Sequence, residues 1–181
     1  IGRAAGSLLD HGPVVVGRDT RRSGTMLSSA LEAGFQAVGI DTLDVGVLPS
    51  GGISLLTSRS AARMGAVVSA SHNPAPDNGI KLLGERGTKL PDSLEREIED
   101  RLRSSTRRSA MGGAIGIGLD DDDALYEYVG YLADVATYRL GGIELTLDCA
   151  NGAAFKAAPE LFTRLKADVE VLAAEPNGVN I

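Results

Sequence analysis

Apolar residues in the first 70 positions fall either into short runs or into stretches with helical spacing. Val14–Val16 and Gly65–Val68 are short apolar runs typical of buried strands. Thr42–Val47 shows a weak alternation of apolar and polar residues, which predicts another strand. Apolar residues recur every three or four positions from Met26 to Val38, which predicts a helix, and Gly51–Ser58 is predicted as a shorter one. Strands therefore alternate with helices, which predicts an α/β sandwich with a largely parallel sheet.

Two polar stretches directly follow predicted strands. The arginine segment, Gly17–Gly24, follows the first strand, and Ser69–Pro74 follows the strand at Gly65–Val68. Ligands of open α/β sheets gather at the carboxyl ends of the strands. We therefore expect both polar stretches at one edge of the sheet and take them as the candidate site.

The second half of the chain is predicted to finish one domain and begin another. Gly79–Leu83 and Thr88–Leu90 predict a hairpin, Pro91 opens a helix that runs to about Arg103, a connector covers 104–120, and a helix covers 121–139. A strand–loop–helix–strand pattern starts again near Gly141. We predict one domain over 1–140 that lacks its amino-terminal part and the truncated start of a second over 141–181, so that the chain is a fragment.

Charge and composition exclude several classes of function. The net charge of -6 argues against nucleic acid as a partner, because binding to a phosphate backbone requires a basic surface. No apolar stretch reaches the roughly 18 residues of a membrane span, and the first residues lack a signal-peptide pattern. Cys149 is the only cysteine, so no internal disulfide is available. We expect a cytoplasmic protein without a membrane partner.

Ser71 is the candidate nucleophile. A serine before Asn-Pro is commonly a turn residue that bonds its own backbone, and a serine hydroxyl needs a base or a charged environment to react. His72 is its neighbour, but successive side chains at a strand end are expected to point apart, so a direct proton relay between the two is disfavoured. This disfavours a hydrolase, and no Gly-x-Ser-x-Gly elbow is present.

The arginine segment has the composition of an anion-binding loop. It combines glycines, three arginines and a predicted helix start, although an ordinary solvated loop could have the same composition. It is not a Walker loop, since no Gly-Lys-Ser/Thr follows at the required spacing. Nothing in the sequence supports nucleotide binding.

Taken together, these motifs resemble the α-D-phosphohexomutase superfamily. The resemblance rests on Gly-Arg-Asp-Thr-Arg-x-Ser-Gly at 17–24, Ser-Ala-Ser-His-Asn-Pro at 69–74 and Asp-Asn-Gly-Ile-Lys at 77–81, and it covers nearly the whole chain. It implies a three-layer α/β/α first domain with a mixed, largely parallel sheet. Ser69, the 87–92 and 148–153 motifs and the closing 175–181 stretch resemble the branch that interconverts the 6- and 1-phosphates of glucosamine.

The resemblance also implies roles for individual residues. Ser71 is expected to be carried as phosphoserine and to contribute one ligand to Mg²⁺ through its phosphate. Transfer to a hexose phosphate, reorientation of the bisphosphate and return of the other phosphate to the serine would complete the cycle. His72 and Lys81 would handle protons and charge on the sugar side. Support of the serine and its phosphate is expected from five further residues: Arg18, Asp19, Arg21, Ser69 and Asn73.

The implied partners are a hexosamine or hexose phosphate substrate and a sugar bisphosphate activator, and a homodimer is a further candidate assembly. The family's metal loop and sugar-binding loops would lie outside these residues, so we expect the fragment alone to be inactive. Two alternatives stay open: phosphomannomutase or phosphoglucomutase activity on the same scaffold, and a non-catalytic module that binds a phosphosugar.

Overall fold

The computed structural model describes residues 1–104 and 109–181. Residues 105–108 of the predicted connector lie outside the described part of the chain. The helices and strands, in chain order, are α1 Gly2–Gly6, β1 Val14–Arg18, α2 Arg22–Gln36, β2 Thr42–Val47, α3 Ser50–Arg59, β3 Met64–Val68, β4 Ile80–Gly84, α4 Asp92–Arg103, β5 Gly118–Asp120, α5 Ala124–Val135, β6 Glu144–Asp148, α6 Ala157–Arg164 and β7 Asp168–Leu172.

Five strands form the larger sheet in the order β4-β3-β1-β2-β5. All neighbouring strands are parallel except β3 and β4, which run antiparallel. The chain leaves β1 toward β2 on one side and returns from β2 to β3 on the other side of β1. The predicted mixed, largely parallel sheet is therefore confirmed, and the crevice between β1 and β3 lies where the strand order reverses.

The sheet is covered on both faces, which makes the three layers of the predicted sandwich. On one face Val14 and Val16 pack with Phe35 of α2 and with residues of α1 and α4. On the other face Val15 packs with Ile53 of α3 and with Ala124 at the start of α5. Strands buried on both faces read as continuous apolar runs, as β1 and β3 do in the sequence.

Two details differ from the sequence predictions. The predicted hairpin after the serine motif is short: Leu83 and Lys89 form a single bridge, and the main partner of β4 is β3. The predicted connector contains β5, which pairs with β2 at the sheet edge. All three residues of β5 are exposed, so backbone pairing at the sheet edge holds this strand, without burial in the core.

Beyond residue 140 the chain forms a separate two-stranded parallel sheet of β6 and β7, with α6 between them. This is the strand–helix–strand order that the sequence predicted from Gly141 onward. The division of the chain into two domains stays a prediction. None of the described helices is long and apolar enough to cross a bilayer.

Candidate active site

The arginine segment and the serine loop (residues 69–79) meet because they follow neighbouring strands. β1 and β3 pair in register from Val14 and Met64 up to Arg18 and Val68. The Asp19 N–H then donates to the Val68 carbonyl at 3.1 Å, which extends the pairing past both strand ends. The two polar stretches therefore lie at the same edge of the sheet, as the sequence predicted.

Arg21 is the centre of the contact between the two loops. Its side chain is fully buried, and its Nε donates to Asp19 Oδ2 at 2.8 Å. The remaining guanidinium donors bind four backbone carbonyls of the serine loop at 2.7 to 3.1 Å, namely those of Ser71, Asn73, Pro74 and Asp77. All five N–H groups of the guanidinium are thereby used, so Arg21 shapes the loop and has no donor left for a phosphate.

Asp19 and Ser69 carry this network to the nucleophile. The Ser69 hydroxyl donates to Asp19 Oδ2 at 2.7 Å and accepts the Ser71 N–H at 3.0 Å. Asp19, Arg21 and Ser69 are all buried, with 5%, 3% and 8% of their surface exposed. Hydrogen bonds that involve a buried charge are strong and costly to lose. The buried hydrogen bonds of Asp19, Arg21 and Ser69 therefore fix the backbone of Ser71.

Ser71 itself adopts a left-handed backbone conformation with a φ of 58°. A non-glycine residue pays for this conformation and keeps it only where the surroundings impose it. The residue is exposed, and its Oγ lies 3.4 Å from Nδ1 of His72. The expectation that the two side chains point apart is therefore wrong, because it assumed an extended backbone at Ser71.

The Ser71 side chain borders a cavity of about 640 Å³. One wall consists of the serine loop from Ser69 to Pro74 together with Asp19. The opposite wall comes from the loop after β6 and from the last residue of the chain, and its members are small or apolar: Ala150, Gly152, Ala153 and Ile181. The cavity therefore has a polar, hydrogen-bonded side that carries the serine and an uncharged side that faces it.

Two predicted residues lie elsewhere. Arg18 was expected to hold the serine loop, but its Nη1 binds both carboxylate oxygens of Asp44 at 2.9 and 2.7 Å and Ser28 Oγ at 3.3 Å. It is the last residue of β1 and points to the α2 face of the sheet. Lys81 is exposed on β4 opposite Val67, and it borders a separate cavity of about 610 Å³ along α4.

Two polar residues that sequence reasoning did not single out, Asn78 and Thr20, also join the loops. Asn78 donates to Ser23 Oγ at 2.9 Å and accepts the Gly79 N–H, which anchors the end of the serine loop to α2. Thr20 donates to the carbonyl of Asn151, in the loop after β6. Their positions inside the quoted motifs were the only available signal, since single side-chain bonds between loops leave no periodicity in a sequence.

The described residues do not by themselves supply a metal site. Among residues 1–104 and 109–181, no group of three or more His, Cys, Asp or Glu side chains is placed to hold a metal ion. Asp19, the acidic residue on the serine side of the cavity, is already bound to Arg21 and Ser69. The described residues therefore do not form a complete magnesium site.

Comparison with known proteins agrees with this fold. Residues 1–109 match the model of the phosphoglucomutase/phosphomannomutase alpha/beta/alpha domain I. The chain belongs to this family. A solved phosphoglucomutase/phosphomannomutase family protein from Burkholderia thailandensis superimposes with a TM-score of 0.83 at 28% identity, over 98% of this chain and 40% of that protein.

More particular similarity is to proteins named phosphoglucosamine mutase. The chain is 46% identical over 168 residues to that of Corynebacterium jeikeium, covering 92% of this chain and 38% of the relative. It is 43% identical over 189 residues to that of Geotalea daltonii, covering 100% of this chain and 42% of the relative. The chain thus spans about two fifths of the length of these relatives.

Proposed function

We propose that this chain is the serine-bearing part of a phosphosugar mutase in which Ser71 carries the phosphoryl group. One observation carries the proposal: the exposed Ser71 side chain faces a cavity while a buried network of Asp19, Arg21 and Ser69 holds its backbone in a left-handed conformation. Phosphoryl transfer depends on positioning and charge stabilisation more than on covalent chemistry from the protein. A nucleophile fixed at a cavity mouth suits that demand.

The reaction needs two transfers that balance. A hydroxyl oxygen of the sugar phosphate attacks the phosphorus on Ser71, the bond from phosphorus to Oγ breaks, and the hydroxyl proton passes to a base. After the bisphosphate turns around, Ser71 Oγ takes the other phosphoryl group and the sugar oxygen is protonated. His72, whose Nδ1 lies 3.4 Å from Ser71 Oγ, is the proposed proton carrier. Lys81 was expected to share this role, but it borders the separate cavity along α4, and none of the described contacts near Ser71 supports its part in the proposal. Asn73 shapes the loop through its carbonyl, which accepts from Arg21.

Mg²⁺ is the proposed cofactor, bound in part by the phosphate on Ser71. A phosphoserine carries about -1.5 to -2 charges, which a divalent cation would offset while a sugar hydroxyl approaches. Because the described residues do not complete a metal site, we propose that the remaining Mg²⁺ ligands come from parts of the protein outside residues 1–181. For the same reason we propose that residues 1–181 alone do not turn over substrate.

The proposed substrate pair is glucosamine 6-phosphate and glucosamine 1-phosphate, with a sugar bisphosphate as activator. The name shared by the curated relatives supports it. We propose a cytoplasmic enzyme without nucleic-acid or membrane partners, with a homodimer as the candidate assembly. Mannose or glucose phosphate as substrate and non-catalytic phosphosugar binding are the competing proposals, and turnover assays with all three sugar phosphates separate them.

Intact-mass measurement of the whole protein tests the phosphoserine directly. After incubation with a hexose bisphosphate we expect an adduct of about 80 Da, the mass of one added phosphoryl group, and Ser71→Ala should abolish it. Ser58→Ala is a matched control, because the Ser58 hydroxyl donates to the Leu55 carbonyl on an exposed face of α3. No adduct on the unsubstituted protein, or labelling of Ser71 by a fluorophosphonate, would contradict the proposal; the latter would indicate a hydrolase.

A further inference from the structure

Asn151 joins two loops that follow the strands of the smaller sheet. It has a φ of 49°, and its N–H donates to the Ala173 carbonyl at 2.6 Å, just beyond β7. Its side-chain oxygen accepts the Glu175 N–H, and its side-chain nitrogen donates to the Asn180 carbonyl, both at 3.1 Å. The loop after β6 and the closing 175–181 stretch are thereby held as one unit.

Two hydrogen bonds fasten this unit to the arginine segment. Thr20 Oγ1 donates to the Asn151 carbonyl at 2.5 Å, and the Arg22 N–H donates to the Gly178 carbonyl at 2.9 Å. Gly178 has a φ of 91°, and a Cβ there would lie 2.9 Å from the Cβ of Arg22, so this approach requires glycine. The two donors are the immediate neighbours of Arg21, the residue that shapes the serine loop.

The uncharged cavity wall is built on the same unit. Ala150, Gly152 and Ala153 flank Asn151 in the chain, and Ile181 follows Asn180. The serine side of the cavity is organised by Arg21, while its flanking residues hold the facing wall. A single segment of three residues therefore fixes both sides of the 640 Å³ space in which a substrate would lie.

We propose that Thr20 and Asn151 are positioning residues that set the distance between Ser71 and the facing wall of the cavity. This inference rests on the proposed phosphosugar mutase function and assigns it a geometric requirement. Neither residue borders the cavity, so each acts through the wall and not by touching the sugar. A displaced wall misaligns the sugar hydroxyl with the phosphorus, and reactions of this kind lose rate steeply with misplacement.

The test compares Thr20→Val with Thr20→Ser in the whole protein. Valine keeps the shape of threonine but cannot donate to the Asn151 carbonyl, whereas serine keeps the hydroxyl. We expect kcat to fall about fivefold to tenfold in Thr20→Val, the effect of losing about one hydrogen bond in the transition state, with KM changed less than about twofold. Thr20→Ser should recover most of the rate. Thr146→Val makes the same change at an exposed threonine on β6 and should keep the rate.

Asn151→Gly supplies the second arm, since glycine keeps the positive φ and removes only the side-chain bonds. In Asn151→Gly with Thr20→Val, we expect a loss smaller than the product of the single losses, because both changes release the same wall. Additive losses, or a kcat for Thr20→Val equal to that of the unsubstituted enzyme, would overturn the inference. So would a lowered Tm with unchanged kcat per folded molecule. Absence of turnover and of phosphoserine in the unsubstituted protein would instead overturn the mutase proposal.

Discussion

Arg18 and Arg21 stand three positions apart and form two ion-pair networks of different character. Arg21 is buried, and every one of its donors has a partner in Asp19 or the serine loop. Arg18 is half-buried and pairs with Asp44, beside Glu32 of α2. Glu32 Oε1 is buried and has no hydrogen-bond partner among the residues that the structure describes. One network is fully satisfied and the other is not.

The electrostatics of the second network follow from that difference. Burial, with help from the nearby carboxylates of Asp44 and Asp120 and against the opposing charge of Arg18, raises the pKa of Glu32 to about 7. Because a buried charge without a partner is costly, the carboxyl holds its proton to a higher pH. The satisfied network specifies a loop conformation, whereas the Arg18 network holds α2 against the sheet at some cost in stability.

The largest expected effect is at Arg21. Arg21→Ala leaves the Asp19 carboxylate buried without its cation and frees four carbonyls, so we expect about 3–5 kcal/mol loss in the free energy of unfolding and at least about 100-fold lower mutase activity. Urea unfolding and turnover of the whole protein measure the two. Arg18→Ala is the matched control, with a loss of activity no greater than its loss of folded protein. Equal activity losses in Arg21→Ala and Arg18→Ala would contradict the assignment of the serine loop to Arg21 alone.

A smaller effect is expected at Ser69, the link between the buried network and Ser71. Ser69→Ala removes the acceptor of the Ser71 N–H and the donor to Asp19, which costs about 1–3 kcal/mol for the groups left unpaired. Ser69→Ala should also form less phosphoserine when it is incubated with a sugar bisphosphate, and intact-mass measurement detects this decrease. Ser69→Thr keeps the hydroxyl and should restore both stability and phosphoserine. If Ser69→Thr restores neither, the loss in Ser69→Ala is not caused by the missing hydroxyl.

The smallest expected effect depends on pH and tests the unsatisfied network. The folded-state pKa of Glu32 lies above its ordinary 4.5, so the folded protein holds a proton that the unfolded chain releases. The contribution of the Glu32 carboxyl to the free energy of unfolding therefore falls as the pH rises from about 4.5 to 7, and it stays low at higher pH. Glu32→Gln should stabilise the protein by on the order of 1 kcal/mol at pH 8, a value reduced for the exposed part of the side chain.

Thermal melts of the unsubstituted protein and of Glu32→Gln at pH 5 and pH 8 measure the extra stability of the glutamine variant. It should be clearly smaller at pH 5, where the glutamic acid resembles glutamine. Glu97→Gln is a control on an exposed face of α4, where the carboxylate has a local partner in Arg101. A glutamine advantage at Glu32 that is the same at both pH values would show that the carboxyl does not titrate in this window.

Most of the fold and the location of the candidate site could be predicted from the sequence. The apolar runs of β1 and β3 are buried on both faces and the spacing of α2 is helical, so their patterns were unambiguous. The parallel order then places the loops after β1 and β3 at one edge. By contrast β5 is exposed along its whole length, and its pairing with β2 depends on backbone bonds that leave no pattern in side chains.

Strand burial and helical periodicity are local properties, so the chemical groups of the site and the sheet edge at which they gather could be inferred from the amino-acid order alone. In contrast, the folded chain was needed to show that Arg21 holds the serine loop while Arg18 faces α2, and that the Ser71 hydroxyl lies near His72. The physical reason is that side-chain direction at a loop depends on backbone angles such as the positive φ of Ser71. Contacts from residues far along the chain impose those angles.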